Sequence, residues 1–430
     1  MTLDFTFERR LELQREEAIR EGLFSQTDRS DAELFLKFWQ QASETFYSLN
    51  LKKTVIFWRK TDKISLKVKR SVVDLEPYQA KTMPMEYMID KEMLRLTSEA
   101  NAKYGEYKSL LNSLEFDAGF FLDSVILNES YKSTQIEGTQ ISQDEMYYLK
   151  YMEKTDDNRE IQNLKRSIEY ASEYLEGGKT IGYEFVNKMH EMILDSVRGA
   201  NKTPGQIRTT QNWIGPRGCT IEGATFIPPR PEEVYGLLMN LYEYMNNEFI
   251  DPLLVNVALS HMQFETIHAY KDGNGRLGRA LIPVQMSLLD QSEPILFMSE
   301  ILELYKPSYQ RNLMECRRGN VAGYLKFFLQ CVIDQCNAYI YKIERIKDIY
   351  KADMKTIEAI RGNSVYRIMP VIMKQIVFTK KEVQELSGVS VNVVSNIINQ
   401  LVELNIIVPD ATVVKKGFRY QKIYEVFVGN

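Results

Sequence analysis

The chain has 430 residues, 44% hydrophobic and 26% charged, with 22 glycines and 13 prolines. Such proportions exclude collagen-like chains and long disordered tracts. Lys+Arg total 54 against 58 Asp+Glu, and a net charge of -4 excludes a chain drawn onto nucleic acid or anionic membrane by overall charge alone.

At ~150 residues per domain the length suggests roughly three domains, read here as 1–111, 112–345 and 346–430. No apolar run approaches the ~18 residues that span a bilayer, so no membrane partner is expected, and the first ten residues carry no apolar signal core. Cys219, Cys316, Cys331 and Cys336 are too few and too irregular for a disulfide framework, and three histidines argue against a thiolate–imidazole zinc site. A reducing, cytoplasmic setting is the expectation.

Helical periodicity dominates: 7–21, 32–47, 88–111 and 116–131 each carry apolar residues at three-to-four spacing. Residues 54–60 and 64–73 break the pattern. They are β-rich, separated by Thr61-Asp62-Lys63, and read as a hairpin. Eight basic residues and one acidic residue lie between Leu51 and Arg70, which suits a solvated face protecting strand edges and leaves a contact with nucleic acid or an acidic partner open. The helical middle is interrupted at 208–229, where glycine and proline between Asn212-Trp213-Ile214 and Thr225-Phe226-Ile227 predict a second hairpin. A long polar helix over 322–361 then leads to a hinge at Gly362-Asn363-Ser364.

The last segment has its own pattern. Thr379-Lys380-Lys381-Glu382 is a capping box, Gly388-Val389-Ser390 a turn, and 391–405 a second helix. Residues 406–408 and 420–428 read as strands around a basic stretch with Lys415, Lys416, Arg419 and Lys422. Together these predict a winged helix-turn-helix. Its second helix contains no Lys or Arg, so DNA is open as a partner but not favoured over docking or dimerisation.

The most informative stretch is His268-Ala-Tyr-Lys-Asp272-Gly273-Asn274-Gly275-Arg276-Leu-Gly-Arg279, between an apolar helix ending at Ile267 and another starting near Leu277. Glycines flanking Asn274 let backbone N–H groups turn inward, and the following helix adds its unpaired donors. Arg276 and Arg279, three apart, share a face there. Cations are disfavoured at a helix N-terminus, so two arginines imply a bound anion. Asp272 beside phosphates suits a Mg²⁺ ligand, and His268 is placed to accept a proton from an attacking nucleophile.

This segment resembles the signature of Fic-domain proteins, H-x-F-x-D/E-G-N-G-R-x-x-R, with Tyr270 for the usual Phe. The resemblance implies a mainly α fold, a Fic-type helical core with a β-hairpin flap, and Mg-ATP-dependent transfer of AMP to a Ser, Thr or Tyr hydroxyl of a target protein. It implies His268 as general base, Asp272 as Mg²⁺ ligand and Gly273–Gly275 as anion hole. Asn274 with Arg276 would bind the α- and β-phosphates, and Arg279 the γ-phosphate. Gly205-Gln-Ile-Arg208-Thr209 followed by Asn212, Trp213, Ile214 and Gly215 resembles the family's target-binding flap. Glu160-Ile-Gln-Asn163 resembles a helix bordering the nucleotide, with Asn163 as a contact. His190 and His261 read as core or supporting residues.

Ser133-Thr-Gln-Ile-Glu137-Gly138 resembles the family's inhibitory helix, S/T-x-x-x-E-G/N. An ion pair of Glu137 with Arg279 would occupy the arginine that should clamp the γ-phosphate, so that ATP binds unproductively. Two alternatives stay open: a DNA-binding regulator with the core as sensor, and a hydrolase in which Glu137 activates water to remove AMP. Oligomeric state, target and direction are not legible.

Overall fold

The computed structural model describes residues 76–429 apart from 140, 154, 198, 217, 248 and 413–415, together with the backbone of two early strands. The helices expected at 7–21 and 32–47 lie outside the described residues. The chain divides into two compact units, one of 1–78 with 212–228, the other of 79–211 with 229–430.

In the first unit, β1 (Val55–Lys60) pairs antiparallel with β2 (Lys63–Val68), with Val55 opposite Val68. The hairpin read from the sequence is therefore present; residues 69–73 of its expected second strand lie outside the described residues. The second predicted hairpin is reduced to one bridge, Ile214 opposite Phe226, with a 3-10 turn at Ile221–Gly223 between them. Trp213 Nε1–H donates to Cys219 O at 3.0 Å, and Tyr78 N–H donates to Ile227 O at 2.9 Å. A Cβ on Gly215 would lie 2.6 Å from Cys219 Sγ, so this loop closes only around glycine.

The second unit is helical. Its axis is α7 (Leu253–Ile267), every residue of which from Leu254 onward is buried. A helix buried on every face must be surrounded, and α6 (Pro231–Met245), α8 (Asn274–Asp290) and the long α11 (Val321–Ile357) pack on it. Along α11 runs α1 (Lys91–Asn112), started by Asp90, whose side chain accepts from Met93 N–H at 2.9 Å. On the other side, α2 (Ala118–Ile136) packs with α4 (Asp156–Glu176) and α9 (Ser299–Leu304). Short α3 (Gln143–Met146), α5 (Tyr183–Ile193) and α10 (Lys306–Arg317) complete this part. No described helix is long and apolar enough to cross a membrane.

After α12 (Ser364–Gln375) comes β3 (Val377–Thr379), then α13 (Lys380–Ser387) and α14 (Val391–Glu403) joined by a turn with Gly388 at φ +64°. The capping box Thr379/Glu382 forms as the sequence predicts. A three-stranded sheet follows, in the order β3–β5–β4, with β4 at Val408–Asp410 and β5 at Gly417–Arg419. The expected strand over 420–428 is instead α15 (Gln421–Val428). Ile423, Tyr424 and Phe427 bury together at helical spacing, and the Phe427 ring meets Phe121, Phe120 and Tyr147 at 6.0, 6.5 and 6.5 Å. Burial of that aromatic face outweighs the β propensity of the Val and Phe residues. The basic stretch is also less free than its composition suggested. Arg419 lies 3.7 Å from Asp410 and donates to Tyr148 Oη at 2.9 Å, while Lys422, on α15, pairs with Asp353 at 2.6 Å.

Candidate active site

His268 caps the C-terminus of α7 in the left-handed region, φ +48°, ψ +57°. Such a conformation in a non-glycine residue persists only where surroundings enforce it. Here Arg208, fully buried, donates from Nε to His268 O at 3.0 Å and from Nη2 to Pro229 O and Ile267 O at 2.5 and 3.3 Å. Burial, then Arg317 and Arg208, push the imidazole down to about 4, so it is neutral at pH 7 and able to accept a proton.

Six residues later α8 begins. Gly273, at φ +78°, is its N-cap, and no side chain caps the first turn. The loop is closed by Asn274. Its Oδ1 accepts from Tyr270 N–H and its Nδ2 donates to Tyr270 O, both at 2.8 Å. The Asn274 side chain thus shapes the loop, and both of its polar atoms face Tyr270 rather than the mouth of the helix. Behind the loop, His190 donates from Nε2 to Asp272 O at 2.9 Å and accepts at Nδ1 from Gly205 N–H at 2.8 Å. Its ring stacks on Tyr270 at 3.8 Å. His261 joins Gly278 O and Tyr309 Oη. His190 thus supports the loop from behind, and His261 is a buried residue that ties α7 to α8 and α10.

Arg276 and Arg279 point inward from α8 with 4% and 2% exposure. Arg276 lies 3.4 Å from Asp272 and 3.6 Å from Glu160, and its Nε and Nη1 make no hydrogen bond among the described residues. A buried guanidinium with idle donors at an uncapped helix N-terminus is suited to an oxyanion of a ligand. Asp272 has an exposed carboxylate, which accepts from Gly273 N–H at 2.6 Å. No group of three metal-ligating side chains exists among the described residues. One carboxylate beside a phosphate cradle still fits Mg²⁺, which takes one or two carboxylates and fills its shell with phosphate oxygens and water.

Into this cradle comes the end of α2. Ser133 accepts from Arg279 Nε at its Oγ and from Nη2 at its backbone O, both at 2.9 Å, while Glu137 Oε1 accepts from Nη2 at 2.7 Å. Glu137 is the C-cap, and Gly138, at φ +97°, ends the helix. Gly138 N–H donates to Gln135 O and Thr139 N–H to Thr134 O, the paired bonds of a Schellman motif, so the glycine places the carboxylate at the helix end. A carboxylate there opposes the helix dipole. Lys306 Nζ offsets this by capping Ile136 O at 2.6 Å. Burial raises the Glu137 carboxyl, but Arg279, Arg276 and Lys306 outweigh it and hold it below the usual range.

Ser133, Glu137, Gly138, His268, Asp272–Arg276 and Arg279 are thus brought to one place. Asn163, one turn from Glu160 on α4, donates to Asp195 O and Ile193 O at 2.7 and 3.4 Å, so its amide N–H groups cap the end of α5. Asn212, Trp213, Ile214 and Gly215 belong to the first unit, where Trp213 is 41% exposed. Missed from the sequence were Arg317 and Lys306. Arg208 and Glu160 were legible only as members of wider motifs, without the contacts they make here, and long-range placement of single cations has no local pattern.

The Fic/DOC family model matches residues 180–286, and the Fic/DOC family N-terminal model matches 94–173. The chain carries a Fic/DOC domain. Its signature loop and the inhibitory-type helix fall within those two matches. A probable protein adenylyltransferase of Aquifex aeolicus is 28% identical over 176 residues, covering 40% of this chain and 51% of that protein. Protein adenylyltransferase fic-1 of Caenorhabditis elegans is 29% identical over 140 residues, covering 32% and 25%. The chain therefore matches about half or less of these relatives' length. The crystal structure of a Fic family protein from Desulfovibrio desulfuricans shares the fold, with TM-score 0.51 and 16% identity over 78% of this chain and 97% of that one.

Proposed function

We propose that this chain is a protein adenylyltransferase held inactive by Glu137. The observation that carries the reading is the 2.7 Å contact of Glu137 with Arg279, one helical turn from an uncapped N-terminus bearing a second buried arginine. In the active state the α-phosphate of ATP would lie against the N–H groups of Gly273–Gly275 and the idle donors of Arg276. Arg279, released from Glu137, would hold the γ-phosphate. A target hydroxyl oxygen attacks the α-phosphorus, its proton passes to the neutral His268 imidazole, and the α–β bridging bond breaks to release pyrophosphate. Asp272 would hold Mg²⁺, which supplies charge neutralisation to the phosphates when bound. With Arg279 bound to Glu137 the triphosphate cannot extend along this line, and in-line geometry is lost.

The target segment is proposed to add as a strand to the 212–228 loop, with Asn212–Gly215 contributing backbone groups and Trp213 a face. The C-terminal module is proposed to be a winged helix that docks protein rather than DNA. Supporting this, α14 has no Lys or Arg, and Arg419 and Lys422 are engaged by Asp410 and Asp353. The test is incubation of Glu137→Gly and Glu137→Gly/His268→Ala chains with α-labelled ATP and Mg²⁺ in lysate. Labelling of protein by the first and not the second is expected. Equal labelling, or none in either, would sink the proposal.

A further inference from the structure

The end of α7 is held in an unusual way. A helix of this length leaves its last four carbonyls without helical partners. Here two guanidinium groups bind three carbonyls and one hydroxyl along that end. Arg317, from α10, donates Nη2 to Glu265 O at 3.0 Å and Nε to Thr266 Oγ1 at 3.1 Å. Arg208 takes Ile267 O and His268 O, and its own N–H donates to Ala269 O at 2.8 Å. The backbone from Glu265 to Ala269 is thus fixed by two side chains from segments distant in sequence.

The arrangement has an electrostatic consequence. A helix C-terminus normally favours an imidazolium, because its carbonyls carry partial negative charge. Two arginines bound to those carbonyls set positive charge against that effect at His268. The charged groups facing His268 are Arg317 and Arg208, which oppose its protonation, and Glu137, which favours it. Glu265 also approaches, through its backbone. The Glu265 carboxyl itself faces Arg279 and Glu137.

We infer that Arg208 and Arg317 are positioning residues for the transfer reaction: Arg208 sets the left-handed backbone that aims His268, and both cations add to burial in keeping its imidazole in the proton-accepting form. The inference rests on the reading of His268 as general base. A purely structural role would lower stability or rate at every pH. A positioning role also moves the titration of His268.

The whole chain contains three histidines, so isotope-labelled histidine resolves each ring by NMR, with His190 and His261 as internal controls. Arg317→Gln keeps hydrogen-bond donors and removes the charge. It should raise the His268 pKa by about one pH unit or more, while the His190 and His261 signals stay in place. In the Glu137→Gly background, self- and lysate labelling with α-labelled ATP should show the acid limb shifted up by the same amount, with the plateau retained. Arg208→Lys keeps the charge and loses the fork. Its His268 should titrate as in the parent, while labelling falls about tenfold, some 1.4 kcal/mol at the transition state. An unmoved His268 titration in Arg317→Gln, with the control signals intact, overturns the inference whether or not Arg208→Lys folds. Undiminished labelling by Glu137→Gly/His268→Ala would instead overturn the reading beneath it and leave the titration result standing.

Discussion

Glu137 and Arg279 are separated by 142 residues and meet at 2.7 Å, yet Glu137 is only one of two residues on α2 that hold this arginine. Ser133 accepts two further bonds from the same guanidinium, one turn earlier on the helix. The brake should therefore release in steps. Ser133→Ala removes the bond from Nε and leaves the carboxylate, at a cost of about 1 kcal/mol, and should raise labelling roughly fivefold. Glu137→Gly should exceed it, and the double variant should add little. A Ser133→Ala chain as active as Glu137→Gly would show that the ion pair is not the principal restraint.

Acid should not switch the chain on. Glu137 is held below the usual carboxylate range, since Arg279 and its neighbours outweigh burial, and His268 is pushed down to about 4 by burial, Arg317 and Arg208. As pH falls, the Glu137 carboxylate keeps its charge below the usual range, while the His268 imidazole, the proposed base, becomes protonated at about 4. Labelling by Glu137→Gly should stay level from pH ~8 to ~5 and then fall. The parent chain should remain low throughout. A peak of parent activity near pH ~5 would contradict this assignment of the two groups.

Gly275 is where the Glu137–Arg279 pair and the proposed phosphate site share space. A methyl there would overlap the Glu137 carboxylate and lie 2.9 Å from Arg279 Nη1. Gly275→Ala should displace Glu137 and also fill the volume a phosphate needs. Calorimetric titration with Mg-ATP should then show at least about tenfold weaker binding in both the parent and the Glu137→Gly background, roughly 1.4 kcal/mol. Unchanged affinity would mean that the phosphate does not approach this backbone.

The parts of the site legible in the sequence were those confined to one short segment. Residues 268–279 form a loop and a helix start, so their spacing alone reports their shared geometry. Ser133-x-x-x-Glu137-Gly138 is similar, because the glycine ends the helix and fixes the carboxylate at its tip. Arg208, Arg317 and Lys306 had no such pattern for their roles: each reaches carbonyls at the end of a helix distant in sequence. Asn274 was legible as a site residue, but not the fact that its amide is spent on Tyr270. The misread end at 420–428 shows another limit. Nine residues rich in Val, Phe and Tyr fit strand and helix alike, and the aromatic cluster on α2 and α3 decided between them.

Glu265 makes stability depend on pH. It is 7% exposed, its Oε1 makes no hydrogen bond among the described residues, and burial, partly offset by Arg279, raises its carboxyl to about 7. An unfolded glutamate ionises near 4.5, so folding binds a proton between the two values. The contribution is full below about 4.5, is lost as pH rises through about 7, and then levels. The loss is on the order of 3 kcal/mol. Glu265→Gln should flatten the fall in Tm over that range. A variant whose Tm tracks the parent at every pH would place the proton elsewhere.

The C-terminal module grips the segment that follows the brake. Tyr148 Oη donates to Asp410 at 2.6 Å and accepts from Arg419 at 2.9 Å, Tyr424 Oη donates to Asp144 at 2.8 Å, and Gln143 Nε2 donates to Phe427 O at 2.7 Å. Phe427, 3% exposed, packs its ring among Phe120, Phe121 and Tyr147. Truncating such a ring costs about 3–5 kcal/mol, and the cavity would open between α15 and α2. Tyr148→Phe removes one hydroxyl and leaves Asp410 with Arg419 at 3.7 Å, a loss of about 1–3 kcal/mol. Denaturant unfolding should rank the two variants in that order. Hydrogen exchange should rise first at residues 143–151 in Phe427→Ala, since these amides then lose their covering face. Equal protection of that segment in parent and variant would show that α15 does not secure it.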